Sequence, residues 1–150
     1  MEPEHEEAMR ADFAECVRLT DEIYHAEHLG ATNQELDQYE RSINRLGTAW
    51  TQGPHHEEWH YLRRAFAAWT SDPDAARRHL EWARYCRDEV GQDQLTAVQW
   101  RSIEQAQELS GNTFAVDYER NAPDVYRCAP GTPIPKFGAD RDRAPIERSR

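Results

Sequence analysis

The chain has 150 residues, enough for one domain with a single hydrophobic core. It carries 18 basic and 28 acidic side chains, which gives a formal net charge of −10, and its mean hydropathy is −1.00. Such an acidic surface repels phosphate backbones and anionic headgroups, so we expect no direct binding to nucleic acid or to a membrane. The N-terminal residues MEPEHEE lack an apolar run and no long apolar stretch follows, which predicts a cytoplasmic protein.

The charge is distributed unevenly along the chain. Residues 1–110 hold 22 acidic and 11 basic side chains, whereas residues 111–150 hold 6 and 7. The acidic part would suit a basic protein partner, although high charge also serves solubility alone. The three cysteines are odd in number and widely spaced, which predicts neither a disulfide framework nor a paired-cysteine metal site. They are Cys16 and Cys86, on predicted apolar helix faces, and Cys128.

The first half of the chain predicts two helices. The first covers residues 4–29, because apolar side chains recur there at helical spacing, and it ends at Gly30. Thr32 followed by Glu35 is a capping-box pattern, which predicts the start of a second helix. Gly47 either ends that helix or lies inside it. The apolar stripe of the second helix consists of Leu36, Tyr39, Ile43, Leu46 and Trp50.

Residues 55–90 predict two amphipathic helices joined by a tight turn, that is, an antiparallel helical hairpin. Asp72 suits the N-cap of the second of these helices, Pro73 its first position, and Gly91 its C-terminal end. A fifth helix is predicted over residues 94–109, with Trp100 projecting off its apolar face. The apolar stripe of the first hairpin helix consists of Trp59, Leu62, Phe66 and Trp69.

These patterns predict an all-α fold. We expect a compact bundle of about five amphipathic helices over residues 1–110, with the helical hairpin at its centre. Five of the eight prolines lie beyond Gly111, which predicts an irregular, extended C-terminal tail over residues 111–150. Within the bundle, Glu27 and Arg87 fall on apolar arcs, which favours a buried ion pair between them.

Two Glu-x-x-His motifs, Glu22–His25 and Glu57–His60, could carry chemistry. In ferritin-like di-metal carboxylate bundles, two such motifs and two further glutamates hold a pair of metal ions. Both motifs lie on charged helix faces here, and motifs for catalytic nucleophiles or phosphate loops are absent from the sequence. We therefore predict a protein without enzymatic activity, metal or cofactor, and keep a di-metal oxidase or metal-storage protein as an alternative.

The surplus of aromatic side chains is the remaining indication of function. Aromatic residues with arginine neighbours are typical of protein–protein hot spots, although these could also pack beneath the tail. We predict a non-catalytic interaction module, an adaptor, regulator or inhibitor, that acts through helix faces and the tail and could also self-associate. A second hypothesis is an acidic mimic of nucleic acid that inhibits its target. The predicted partner-binding residues are Trp82, Tyr85, Trp100, Phe114, Tyr118, Tyr126 and Phe137.

Overall fold

A computed structural model describes residues 1–111 of the chain. In this range the protein folds into five α-helices and one π-helical turn, and it contains no β-strand. The predicted all-α bundle is therefore confirmed, while the predicted tail and Cys128 lie outside the described residues. None of the helices within residues 1–111 is long and apolar enough to span a membrane. The elements are α1 (Pro3–His28), α2 (Asn33–Thr51), α3 (His56–Ser71), α4 (Pro73–Tyr85), the π-turn (Cys86–Val90) and α5 (Ala97–Gly111).

The helix boundaries follow local capping chemistry. At the start of α2, the backbone N–H of Glu35 donates to the Thr32 hydroxyl and the N–H of Thr32 donates to the Glu35 carboxylate, at 3.4 and 2.8 Å. Asp72 caps α4 by accepting the backbone N–H three residues further on, at 3.0 Å. Gly91 ends the π-turn with a φ of +72°, a left-handed conformation that favours glycine. The predicted caps at these three positions are confirmed.

The helices contribute unequally to the core. The most extensive helix pairs are α1 with α2 and α3 with α5, and α4 completes the antiparallel hairpin with α3. Four of the helices place buried apolar side chains in one cluster, whereas α2 has no buried residue. The α2 residues Ile43, Leu46 and Trp50 pack only partly buried against that cluster. The cluster consists of Met9, Phe13, Cys16, Trp59, Leu62, Trp69, Leu80, Trp100, Ile103 and Ala106.

A buried carboxylate joins α1 to α5. Glu6 is only 7% exposed, and its two oxygens accept four hydrogen bonds of 2.6–2.9 Å from the guanidinium groups of Arg10 and Arg101. The hydrogen bond from Arg101, reinforced by Arg10, lowers the pKa of Glu6 to about 2 against the opposing effect of burial. Arg10 also donates to the side chain of Gln105 at 3.0 Å. Since Arg101 faces Glu6 and Gln105 faces Arg10, α5 runs parallel to α1.

The predicted buried ion pair between Glu27 and Arg87 is wrong. Glu27 is exposed near the C-terminal end of α1. Arg87 pairs instead with its chain neighbour Asp88, at 2.7 Å, and its guanidinium group lies over the ring of Trp100. The buried charge of this bundle is Glu6, whose second arginine partner is 95 residues away in the sequence.

Candidate functional site

Two aromatic side chains of α4 lie on the surface of the bundle. Trp82 is 62% exposed and Tyr85 is 51% exposed, although both are large and apolar enough to be expected in a core. They are three residues apart and therefore lie on the same face of the helix. Their rings stack on each other with centroids 5.6 Å apart and an interplanar angle of 27°. We call Trp82 and Tyr85 the α4 aromatic pair.

The π-turn directly follows the α4 aromatic pair. In it the backbone N–H groups of Gly91 and Gln92 both donate to the carbonyl of Cys86, which ends the helix abruptly. Single π-helical turns within or at the end of α-helices recur at functional sites. Exposed charged residues of both signs lie beside the pair on α4. Arg78 lies one helical turn before Trp82, and Glu81 lies one turn before Tyr85. The pair is therefore an apolar patch with a polar surround.

Trp100, the third predicted surface aromatic, is buried. Only 9% of it is exposed, and its indole N–H donates to both carboxylate oxygens of Asp93, at 3.0 and 3.2 Å. The guanidinium group of Arg87 covers its ring at 4.5 Å from the centroid, a cation–π contact. The prediction that Trp100 projects away from the apolar face is wrong, because the π-turn and the following loop place both partners on it. The predicted tail aromatics Phe114, Tyr118, Tyr126 and Phe137 lie outside the described residues.

The structure does not bring the two Glu-x-x-His motifs together. The side chains of Glu22, His25, Glu57 and His60 are all exposed, and Glu22 lies 3.6 Å from the guanidinium group of Arg18. Within residues 1–111, no group of three or more histidine, cysteine, aspartate or glutamate side chains is placed to hold a metal ion. The di-metal alternative has no assembled site in this part of the chain.

Comparison with known proteins gives no family. No family model, curated protein or solved structure matches this chain.

A second surface, which the sequence did not predict, is a groove between α1, α2 and α3. It is an open cleft of about 720 Å³. Its polar side chains are mostly threonines, and its two charged side chains are Asp21 and Arg63. We call it the three-helix groove. Its apolar lining includes Phe13, Cys16, Val17, Ile43, Gly47, Trp59, Phe66 and Ala67.

Two features of the three-helix groove are unfavourable for the isolated bundle. Gly47 lies inside α2, where a glycine costs about 0.5–1 kcal/mol relative to alanine, and a Cβ atom there would meet no other atom within 4 Å. Trp59 is 2% exposed, and its Nε1 is the buried side-chain nitrogen without a hydrogen-bond partner among the described residues. An unsatisfied buried donor costs about 1–3 kcal/mol. Packing among residues 1–111 explains neither feature.

The groove contains a thiol that is poorly suited to catalysis. Cys16 is buried, and burial, with a smaller contribution from Asp12 and Glu15, raises its pKa to about 11. Because the thiolate is the reactive form of cysteine, Cys16 is almost entirely in its inert thiol form at neutral pH.

Sequence reasoning missed this groove because helical periodicity identifies the apolar face of a helix but not the distance between two such faces. One signal was present. Gly47 lies next to the apolar stripe of α2 and does not end the helix, and a glycine inside a helix lowers its stability unless it serves packing or function.

Proposed function

We propose that this protein is a non-catalytic protein-binding module that uses the α4 aromatic pair as a binding hot spot. The observation that carries the proposal is the exposure of Trp82 and Tyr85, 62% and 51%, in a stacked arrangement. Exposed tryptophan and tyrosine dominate the energetics of many protein interfaces. Because the two rings are already stacked on each other, the side chains of Trp82 and Tyr85 lose little conformational entropy when a partner binds.

The exposed apolar area of Trp82 and Tyr85 is large enough to contribute substantially to the free energy of binding. Burying the exposed parts of both rings would remove roughly 200 Å² of apolar surface from water, about 5 kcal/mol before the entropic cost of association. The charge of the chain supports a basic partner, since residues 1–110 carry twice as many acidic as basic side chains. The proposal includes a cytoplasmic location, and self-association through the same pair is a variant of it.

The C-terminal tail is the second part of this proposal. Residues 111–150 combine aromatic residues with basic ones, among them Arg127 beside Tyr126 and Lys136 beside Phe137. We propose that these residues add contacts to the same partner. Deletion of residues 122–150 should then weaken partner binding while the helical circular dichroism signal of residues 1–111 persists.

The test compares a double variant, Trp82→Ala with Tyr85→Ala, with the matched control Leu29→Ala, which also removes an exposed apolar side chain. Each protein is immobilised and exposed to an extract of its own source cells, and retained proteins are quantified by mass spectrometry. We expect the wild type and the control to retain the same partner and the double variant to lose it by about tenfold or more. Light scattering on the same proteins measures self-association.

The proposal is overturned if the double variant retains the same proteins, in the same amounts, as the wild type. Melting temperatures check that the comparison is fair, since truncation of exposed side chains should change stability little. The hypothesis of an acidic nucleic-acid mimic stays a prediction. It requires that duplex DNA competes with this chain for the captured partner, and a lack of competition excludes it.

A further inference from the structure

We infer that the three-helix groove binds a net-basic amphipathic helix of a partner protein. This surface is separate from the α4 aromatic pair, because the groove is lined by α1, α2 and α3 and by no residue of α4. The inference therefore goes beyond the proposed function and can fail or succeed independently of it.

The length of the groove fits a helix. Along α1 it extends from Phe13 to Tyr24. At about 1.5 Å per residue these eleven steps span roughly 16 Å, or three helical turns. A helix that docks in an apolar groove uses anchors at positions i, i+3 or i+4, and i+7, which cover about two turns. The groove is therefore long enough for one complete set of anchors.

The walls of the groove allow a helix backbone to come close. Gly47 lies in the middle of the α2 wall and Ala67 lies in the α3 wall. A Cβ atom at Gly47 would have open space around it, so no contact among residues 1–111 requires a glycine at this position. Small residues on facing helices permit a short distance between their axes. If a helix docks in the groove, Gly47 allows its backbone to come close, which is a role that the glycine does not have among residues 1–111 alone.

A docked helix would also complete the packing of α2. This helix has no buried residue, and its Ile43 is only partly buried, as is Phe66 on the opposite wall. A helix lying between them would cover both side chains and form a four-helix arrangement with α1, α2 and α3. Trp59, whose buried indole N–H has no hydrogen-bond partner among residues 1–111, is one of the residues that line the groove. Local costs of this kind are expected where a surface is built for binding.

The charge of the three lining helices favours a basic occupant. Residues 3–71, which include α1, α2 and α3, carry 13 acidic and 6 basic side chains. One of the acidic side chains, Glu6, lies on the side of α1 that faces α5. The two charged residues that line the groove itself, Asp21 and Arg63, are of opposite sign and leave its interior balanced. The apolar face of the occupant would therefore meet an apolar interior, while its polar face would lie in the negative field of the surrounding helices.

The test uses a fluorescein-labelled peptide of about 18 residues, made of leucine and lysine with leucine at helical spacing on one face. A control peptide has the same composition, but its leucines and lysines alternate, so that no helical face is apolar. Binding is measured by fluorescence anisotropy. The wild-type chain should bind the amphipathic peptide at least about tenfold more tightly than the alternating one.

The location is tested by filling the groove. Gly47→Leu places a side chain in the groove, whereas the matched control Ala49→Leu adds the same side chain to an exposed position of α2 outside it. We expect Gly47→Leu to weaken peptide binding by about tenfold and Ala49→Leu to change it by less than about twofold. Ala67→Leu fills the groove from α3 and takes the place of Gly47→Leu if that variant does not fold.

Several results would overturn the inference. Unchanged binding by the groove-filling variants would place the peptide elsewhere, and equal binding of both peptides would show attraction by charge alone. The apolar dye anilinonaphthalene sulfonate tests a small molecule as the competing occupant. Dye that occupies the groove and is not displaced by the peptide would favour that alternative. The double variant at Trp82 and Tyr85 should bind the peptide normally, which separates this test from that of the proposed function.

Discussion

The two sides of α1 differ in how completely they are closed. On the side of α5, the buried carboxylate of Glu6 accepts four short hydrogen bonds from Arg10 and Arg101, and the helices are joined across 95 residues of sequence. On the side of α2 and α3, the same helix faces a groove of about 720 Å³. Its lining includes Gly47, where an added Cβ atom would meet nothing within 4 Å, and Trp59, whose buried indole N–H has no acceptor among residues 1–111.

We infer that one side of α1 serves the stability of the bundle and that the other side serves binding. An unpaired charge buried on the closed side would be strongly destabilising. The carboxylate of Glu6 is tolerated there because Arg10 and Arg101 both donate hydrogen bonds to it. On the open side, no contact among residues 1–111 compensates for the helix-interior glycine or for the unpaired indole N–H of Trp59. These costs are large for a small domain, whose net stability is only about 5–15 kcal/mol. Features of this kind are expected at sites where a further group binds.

The largest predicted effect contrasts two aromatic residues of α3. Trp69 is buried between α3, α4 and α5, whereas Phe66 is partly buried and lines the groove. Trp69→Ala should lower the free energy of unfolding by about 3–5 kcal/mol, since it leaves a large cavity in the core. Phe66→Ala should cost clearly less, because its site is already open to water. Urea denaturation followed by circular dichroism measures both. Equal losses would mean that the groove is closed in solution.

The next effect concerns the closed side. Because the pKa of Glu6 is lowered from 4.5 to about 2, its carboxylate stabilises the fold above pH 4.5, and this contribution is lost as the pH falls towards 2. The shift corresponds to about 3 kcal/mol, which we reduce to about 2 kcal/mol because Arg101 is half exposed to solvent. Glu6→Gln should lower stability by this amount at pH 7 and by much less at pH 2.

Urea midpoints at the two pH values measure the effect, with Glu7→Gln as the control. Glu7 is the exposed neighbour of Glu6 on the same helix, so its substitution should leave the midpoint nearly unchanged at both pH values. A loss for Glu6→Gln that is independent of pH would show that packing of the side chain, not its charge, links α1 to α5.

The contrast between the two sides also explains what the sequence could predict. Thr32, Asp72 and Gly91 marked helix boundaries because capping depends on residues three or four positions apart. The burial of Glu6 depends on Arg101, which no local pattern connects to it. The prediction for Trp100 was also wrong because no local pattern shows its contacts. The π-turn and the loop that follows it place Arg87 and Asp93 against its ring.

The two candidate sites also differ in whether a pattern within one helix can predict them. Trp82 and Tyr85 were predicted as partner-binding residues because they are aromatic residues with arginine neighbours on a single helix, with packing beneath the tail as the alternative. Both side chains are exposed in the structure. The three-helix groove is a property of three helices at once. Its volume depends on how far α2 stands from α3, and periodicity within each helix contains no information about that distance.

The smallest effect should have the opposite sign. Gly47→Ala should stabilise the protein by about 0.5–1 kcal/mol, because alanine favours a helix interior and its methyl group meets no atom within 4 Å. Gly91→Ala is the matched control, since it also replaces a glycine without a clash, but at a φ of +72°. That left-handed conformation should make Gly91→Ala destabilising by about 1–2 kcal/mol.

The two melting temperatures should therefore move in opposite directions. A gain for Gly47→Ala would show that the natural glycine lowers the stability of the bundle, as expected if it keeps the groove open for a close approach of another backbone. The same variant should bind the amphipathic peptide more weakly than the wild type, so that stability rises while affinity falls. A loss of stability in Gly47→Ala would instead mean that α2 lies closer to α3 in solution, so that the glycine serves packing within the chain.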